Sequence, residues 1–313
     1  MSETGPVSSD TARPGPAAAP AGPRRVVPVR HWGQWVAVVI LVLLAIKLIA
    51  DIAAHSAVRW DVVLSRFGAQ AVLEGLGMTV VLTLISMVLG AALGVGVAIM
   101  RLSRNRLLSA FAFGFVWLFR GTPLLVQVLI WFNLSLFLPR FDLGFTTIQT
   151  NTVIQPFTAA ILALALNEAA YMAEIVRGGI LSVDKGQAEA AGALGMTPAQ
   201  TMRRIVLPQA MRSILPPTGN EVVTLLKETS LVSIIGAGDL LFRSRQLGTA
   251  DFTQMEMFLV ASAWYLILTS IASIIQSVVE RRFDKDRAPS AWWARILPVR
   301  AEGARADRRE VAS

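Results

Sequence analysis

The sequence predicts an all-α fold, a polytopic membrane helix bundle, and three observations carry that prediction. Hydrophobic residues make up 54% of the 313 and charged residues only 16%, where a soluble domain carries roughly 25% charged residues. Mean hydropathy is +0.57. The apolar residues come in runs that approach the roughly 20 residues a helix needs to cross a bilayer. The same numbers exclude a chain that is disordered as a whole. The chain has no cysteine, which removes disulfides, thiolate nucleophiles and thiolate-bound metals. His31 and His55 are its only histidines, too few for a histidine-built metal site. A net charge of +8 is explained by basic cytoplasmic loops, so no nucleic-acid partner is expected.

Residues 1–34 hold six prolines among Ala, Gly and Ser, from Pro6 to Pro28, and read as a disordered cytoplasmic tail. Residues 35–54 are an additional N-terminal span, interrupted by Lys47. A cleaved signal peptide has this charge order. The preceding tail is long, however, and no Ala-x-Ala site follows at once, so the segment is expected to be retained. The core, residues 73–280, contributes five spans. Leu73–Met100 is the first, with Gly90, Gly94 and Ala98 spaced by four for close helix packing. The second lies within 107–138 and is taken as 115–138, after an interfacial helix. It is interrupted by Arg120-Gly121-Thr122-Pro123, where Thr122 reads as an N-cap with Pro123 at N1 and Arg120 as a side chain reaching the headgroups. Phe157–Val176, Thr218–Leu241 and Met257–Val279 complete six predicted transmembrane helices. Residues 281–313 form a C-terminal cytoplasmic tail.

Loop charges set the orientation. The N-terminal tail carries Arg13, Arg24, Arg25 and Arg30, the loop at 101–106 carries Arg101, Arg104 and Arg106, and nine basic residues follow position 280. The loops at 51–72, 139–156 and 242–256 are near balance. Both termini are therefore expected in the cytoplasm of a bacterial cell, with the chain in its cytoplasmic (inner) membrane.

The cytoplasmic loop at 178–216 is about 39 residues long, and structureless loops beyond about 15 residues are uncommon. Asp184 followed by Gln187 marks a capped helix start. Gly195 suits the left-handed position that closes such a helix. Thr197-Pro198-Ala199-Gln200 is a second start, with N-cap, proline at N1 and the capping-box partner at N3. The second helix is expected to stop before Pro208. Composition alone also fits an amphipathic helix pair with no partner.

Within that loop, Glu189-Ala190-Ala191, Gly195, Ile205 and Leu207-Pro208 fit the pattern EAA-x3-G-x9-I-x-L-P. This resembles the cytoplasmic loop of the membrane subunits of ATP-binding-cassette (ABC) importers. Leu118–Gln127, Asn167–Ile180, Gly219-Asn220-Glu221 and Lys227–Leu231 resemble the polar amino acid uptake branch of that family. The resemblance runs from Leu73 to Val279. It implies a type I ABC importer-like fold, with a five-helix core to which the first span is an addition. It implies a permease subunit paired with a second membrane subunit, identical or similar. An ABC ATPase dimer sits below, and an extracytoplasmic solute-binding protein delivers the substrate, a polar amino acid. Glu189, Ala190, Ala191, Gly195, Ile205, Leu207 and Pro208 would couple the ATPase to the membrane. The sequence has no G-x-x-x-x-G-K-[ST] phosphate loop. ATP and Mg are therefore expected on the partner, with no cofactor on this chain and no enzymatic activity of its own.

Charges inside spans are the remaining signal. Lys227 falls roughly 14 Å into its helix at 1.5 Å per residue, near the middle of a ~30 Å apolar core. A lone charge there costs about 2.5–3.5 kcal/mol or more. Asn220, Glu221, Lys227 and Glu228 on that helix, and Asn167, Glu168 and Tyr171 on another, are the candidate lining of a substrate path. The competing reading is an internal salt-bridge and hydrogen-bond network. Other small polar solutes or an opine are the alternative substrates. An ion-coupled secondary transporter is the alternative mechanism, but inverted halves with matching broken helices are not visible. A membrane-embedded enzyme lacks the nucleophile–base pair or ligand set it would need.

Overall fold

The computed structural model describes residues 32–54, 58–142 and 147–283. In chain order the helices are α1 (Trp32–Ala54), α2 (Trp60–Arg66), α3 (Gln70–Leu102), α4 (Arg106–Gly121) and α5 (Leu124–Phe132). A small antiparallel hairpin follows, β1 (Arg140–Asp142) with β2 (Thr147–Gln149), in which Phe141 faces Ile148. Then come α6 (Thr150–Val153), α7 (Pro156–Leu181), α8 (Lys185–Ala193), α9 (Pro198–Thr201), α10 (Leu207–Glu228), α11 (Leu240–Ala250) and α12 (Gln254–Phe283). His31, His55 and most of both expected tails lie outside the described residues.

The chain divides into two units, one ending at Ala57 and one beginning at Val58. The helix of the first unit, α1, has 23 residues, roughly 34 Å at 1.5 Å per residue. In the second unit, α7 is the central helix. Its most apolar window is 67% buried, against 33% for α3 and 11% for α12. Small side chains allow this. Ala159, Ala160, Ala163, Ala169, Ala170 and Ala173 are all fully buried on α7. The Gly90–Gly94–Ala98 stripe of α3 meets it. A Cβ built on Gly90 would lie 2.6 Å from Glu168 Cγ, and one on Gly94 would lie 2.6 Å from Met172 Cβ and 2.9 Å from the Ala169 carbonyl. The two backbones thus approach closer than any side chain at these positions would permit. Gly179 makes the same kind of crossing with Ile214 of α10.

Among the described residues, α3, α7 and the first 27 residues of α12 are long and apolar enough to cross a membrane, and the α4–α5 pair, bent by 103°, makes a fourth span if counted as one. Three expectations are corrected. Thr218–Leu241 is not one helix. α10 starts at Leu207 and ends at Glu228, a 3-10 turn covers Thr229–Ile235, and Gly236 and Gly238 are left-handed (φ +76° and +82°). Asp239 then caps α11 by accepting from the Leu241 and Phe242 amides at 3.0 and 3.3 Å. The stop signal was Gly-Ala-Gly-Asp, which outweighs the apolar run around it. Pro208 does not end a helix either. The π-helical stretch Met202–Val206 runs straight into α10; its wide turn accommodates a proline ring and its missing donor. The Gln209 side-chain amide donates to the Ile205 carbonyl at 2.9 Å. Thr122 is not an N-cap: its hydroxyl donates back to the Leu118 carbonyl at 2.8 Å, and it closes α4.

The ends of α3, α4 and α7 are held by charge. Glu174 accepts from Arg177 on its own helix at 2.6 Å and lies 3.5 Å from Arg101 of α3. Arg101 in turn lies 4.9 Å from the Phe113 ring centroid of α4. Two arginines on one partly buried carboxylate tie three helices together. Replacing Glu174 by alanine leaves both guanidiniums uncompensated and is expected to cost on the order of 2 kcal/mol, read as a lowered Tm in detergent. Gly94→Leu is expected to cost about 1–3 kcal/mol or more by overpacking. Gly96→Leu, where no atom lies within 4 Å of the new Cβ, should leave Tm within error.

Candidate functional site

The cytoplasmic elbow is built by local rules. Asp184 caps α8, accepting from the Gly186 amide at 2.6 Å. At its other end the Met196 amide donates to the Ala191 carbonyl at 3.1 Å and the Gly195 amide to the Gly192 carbonyl at 2.9 Å. This double bond pattern is the Schellman closure, and Gly195 supplies it with φ +76°. A Cβ there would meet nothing within 4 Å, so glycine is needed for backbone conformation, not for space. Thr197 and Gln200 complete a reciprocal capping box, with the Thr197 amide donating to Gln200 Oε1 at 2.9 Å and the Gln200 amide to Thr197 Oγ1 at 3.4 Å.

On this elbow Glu189, Ala190, Gly195, Leu207 and Pro208 are exposed and Ile205 is half-buried. Ala191, expected to face a partner, is 3% exposed and packs inward, so a bulky residue there would break the elbow itself. Leu194, which sequence reasoning passed over, is 83% exposed at the tip.

A second group lies where α4 bends into α5. Pro123 has no amide hydrogen and the chain turns sharply, so the last carbonyls of α4 lose their helical donors. Inside a membrane each would cost several kcal/mol unpaired. Gln127 Nε2 donates to the Phe119 carbonyl at 2.8 Å, to the Thr122 carbonyl at 3.1 Å and to Thr122 Oγ1 at 2.9 Å. Asn167 Nδ2 of α7 donates to the same Phe119 carbonyl at 3.0 Å and to Gln127 Oε1 at 3.2 Å. Both amides are buried. Asn167 therefore serves the bend, while its neighbours face elsewhere. Gln127, a lone amide in the apolar run 124–132, was a visible signal that sequence reasoning did not use.

The third group is charged. The Arg120 guanidinium sits 5.0 Å from the Tyr171 ring centroid, within cation–π range, rather than extending alone to a headgroup layer. Glu168 is 3% exposed and its Oε1 has no hydrogen-bond partner. Glu221 and Glu228 are on α10, which packs against α7. Glu221 and Glu228 are half-buried, while Asn220 and Lys227 are exposed. Among the described residues, none of Arg120, Glu168, Glu221, Lys227 and Glu228 has an opposite charge within 4.0 Å; the ion pairs are at Arg59–Glu256, Arg66–Asp251 and around Glu174. Of the competing internal network, the hydrogen-bond half is present in Gln127 and Asn167, and the salt-bridge half has no pair among these described residues. A cavity of about 440 Å³ between α3, α10 and α12 is lined mostly by Val80, Leu84, Val222, Ile271, Ile275 and other apolar side chains, which suits no charged solute.

Residues 86–285 match the family described as binding-protein-dependent transport system inner membrane component. The arginine transport system permease protein ArgU of Corynebacterium glutamicum is 43% identical over 275 residues, covering 87% of each chain. The nopaline transport system permease protein NocM of Agrobacterium fabrum is 44% identical, over 64% of this chain and 83% of that one. The arginine transport system permease protein ArtQ of Bacillus subtilis is 39% identical, over 67% and 91%. Among solved structures, an amino acid ABC transporter superposes with a TM-score of 0.61 at 38% identity, covering 68% of this chain and 94% of that one. A methionine ABC transporter in an inward-facing conformation is alike in fold, with a TM-score of 0.57 at 22% identity. The chain belongs to the family of binding-protein-dependent transport system inner membrane components.

Proposed function

We propose that this permease subunit of an amino acid ABC transporter imports a cationic amino acid along the face formed by Arg120, Tyr171, Glu221 and Glu228. The observation that carries the reading is a set of charged side chains, Arg120, Glu168, Glu221 and Glu228, with no opposite charge within 4.0 Å among the described residues. Such groups face water or a ligand in a stable membrane protein. A zwitterion with a positive side chain complements them: its carboxylate meets Arg120, and its cationic groups meet Glu221, Glu228 and the buried Glu168. The guanidinium-bearing arginine fits, and two relatives are named for arginine transport. An opine is the second reading, supported by the permease named for nopaline.

The elbow at 185–208 is the docking point for a separate ATPase dimer, which alone binds ATP and Mg. Its exposed Leu194, Glu189 and Ala190 enter a groove on that partner, and the two caps keep the elbow stiff enough to carry a motion. A solute-binding protein loads the outer face, a second membrane subunit completes the pathway, and both termini lie in the cytoplasm of a bacterial cell.

The test is uptake of labelled arginine into vesicles holding the full complex. ATP inside and binding protein outside should drive it, and an ion gradient alone should not; uptake driven by the gradient would favour a secondary transporter. Glu221→Gln is expected to raise the KM for arginine about tenfold, one charge-assisted contact, while leaving that for a neutral amino acid within twofold. Gly195→Asp strains the left-handed position by roughly 1 kcal/mol or more, and with Leu194→Glu should leave the protein in the membrane at normal level but abolish uptake and ATPase co-purification. Normal ATP-driven uptake by both elbow variants would make the elbow a surface cover.

A further inference from the structure

The bend between α4 and α5 holds its geometry through side-chain hydrogen bonds to its backbone. The Phe119 carbonyl, one residue before Arg120, accepts two hydrogen bonds, from Gln127 at 2.8 Å and Asn167 at 3.0 Å. Gln127 and Asn167 bond each other at 3.2 Å, and Gln127 also holds Thr122 on the far side of Arg120 and Gly121. The backbone is thus clamped on both sides of Arg120, and Asn167 anchors the clamp to α7. Tyr171, one turn further along α7 on the same face, supplies the ring over which the Arg120 guanidinium sits at 5.0 Å. The two buried amides thus fix the backbone from which the Arg120 side chain leaves. Thr122 satisfies the Leu118 carbonyl, and the two amides satisfy those of Phe119 and Thr122. The double donation onto Phe119 fixes the carbonyl in two directions, from its own segment and from the central helix.

We propose that Gln127 and Asn167 are positioning residues that aim Arg120 at the carboxylate of the transported amino acid. The inference rests on the reading of Arg120 as a contact for solute and adds what orients it. It also separates the two polar neighbours on α7: Asn167 works through the bend, and Glu168 works through its charge. Carboxylate recognition by a guanidinium depends on the angle of its planar fork, so a tilt of the backbone at 119–120 weakens binding without removing any charge.

The test uses the complete transporter in vesicles, with arginine and its carboxamide as paired probes, in Asn167→Ser, Gln127→Leu, Arg120→Gln and the double variants. Asn167→Ser keeps a small hydroxyl donor, so the fold is preserved if Gln127→Leu proves too disruptive; membrane level and Tm are measured for each. Each clamp variant is expected to raise the KM for arginine about tenfold, the size of one charge-assisted hydrogen bond, with kcat within twofold. The preference for arginine over its carboxamide should shrink alike in the clamp variants and in Arg120→Gln. Asn167→Ser added to Arg120→Gln should cost nothing more, because residues acting through one contact are non-additive. Multiplying losses in the double variant, or an unchanged preference for arginine over the carboxamide in both clamp variants, would overturn the proposal even while wild-type uptake remains ATP-driven. A wild-type complex that imports no amino acid with ATP would instead sink the transport reading itself.

Discussion

Inside a bilayer every backbone donor and acceptor must find a partner within the protein, and the architecture of the second unit depends on how that demand is met at one place, the bend at Gly121–Pro123. A proline and a 103° turn would strand the last carbonyls of α4. Gln127, Thr122 and Asn167 take them up. Because Asn167 belongs to α7, the repair of one helix break becomes a tie between the bent pair and the central helix. The position of Arg120, and of the polar face around it, follows from that tie.

The same helix is served by opposite strategies at its two levels. In the middle, alanines on α7 and glycines on α3 remove side-chain bulk, so the helices touch through backbone and Cβ atoms. There is then little room to bury a charged pair. Near the loop that follows α3, where water is close, Glu174 gathers Arg101 and Arg177, and long side chains do the joining. Among the described residues, Glu168, Glu221, Lys227 and Glu228 make no ion pair with one another, and the proposed path uses these groups and not those that hold the bundle.

Much of this was legible in residue order. The elbow could be written down from Asp184, Gly195 and Thr197-Pro198-Ala199-Gln200, because caps and left-handed glycines act over three or four residues. The small-residue stripe on α3 was legible for the same reason. Two things were not. A proline was read as a stop at Pro208 and as an N1 position at Pro123, whereas a π turn absorbs the first and side-chain amides repair around the second. Those repairs come from partners 5, 8 and 48 residues away, beyond the reach of local rules. The end of α10 was readable in Gly236 and Gly238 but was masked by the apolar run that contains them. The facing of individual side chains was out of reach altogether: Ala191 points inward and Leu194 outward in a loop where both look alike by composition.

The central claim is that the face bearing Arg120, Tyr171 and Glu221 is wet, while the outer face of α3 is not. The chain contains no cysteine, so single cysteines can report on this without background from this subunit. The measurement is the rate at which Glu221→Cys and Tyr171→Cys, compared with Val88→Cys on the exposed apolar side of α3, react with a charged, water-soluble thiol reagent in sealed vesicles of the complete transporter. The account predicts fast modification at 221 and 171 that arginine slows, and negligible modification at 88. Equal, slow rates at all three positions would contradict it, because the unpaired charges would then face lipid or protein and not a path for solute.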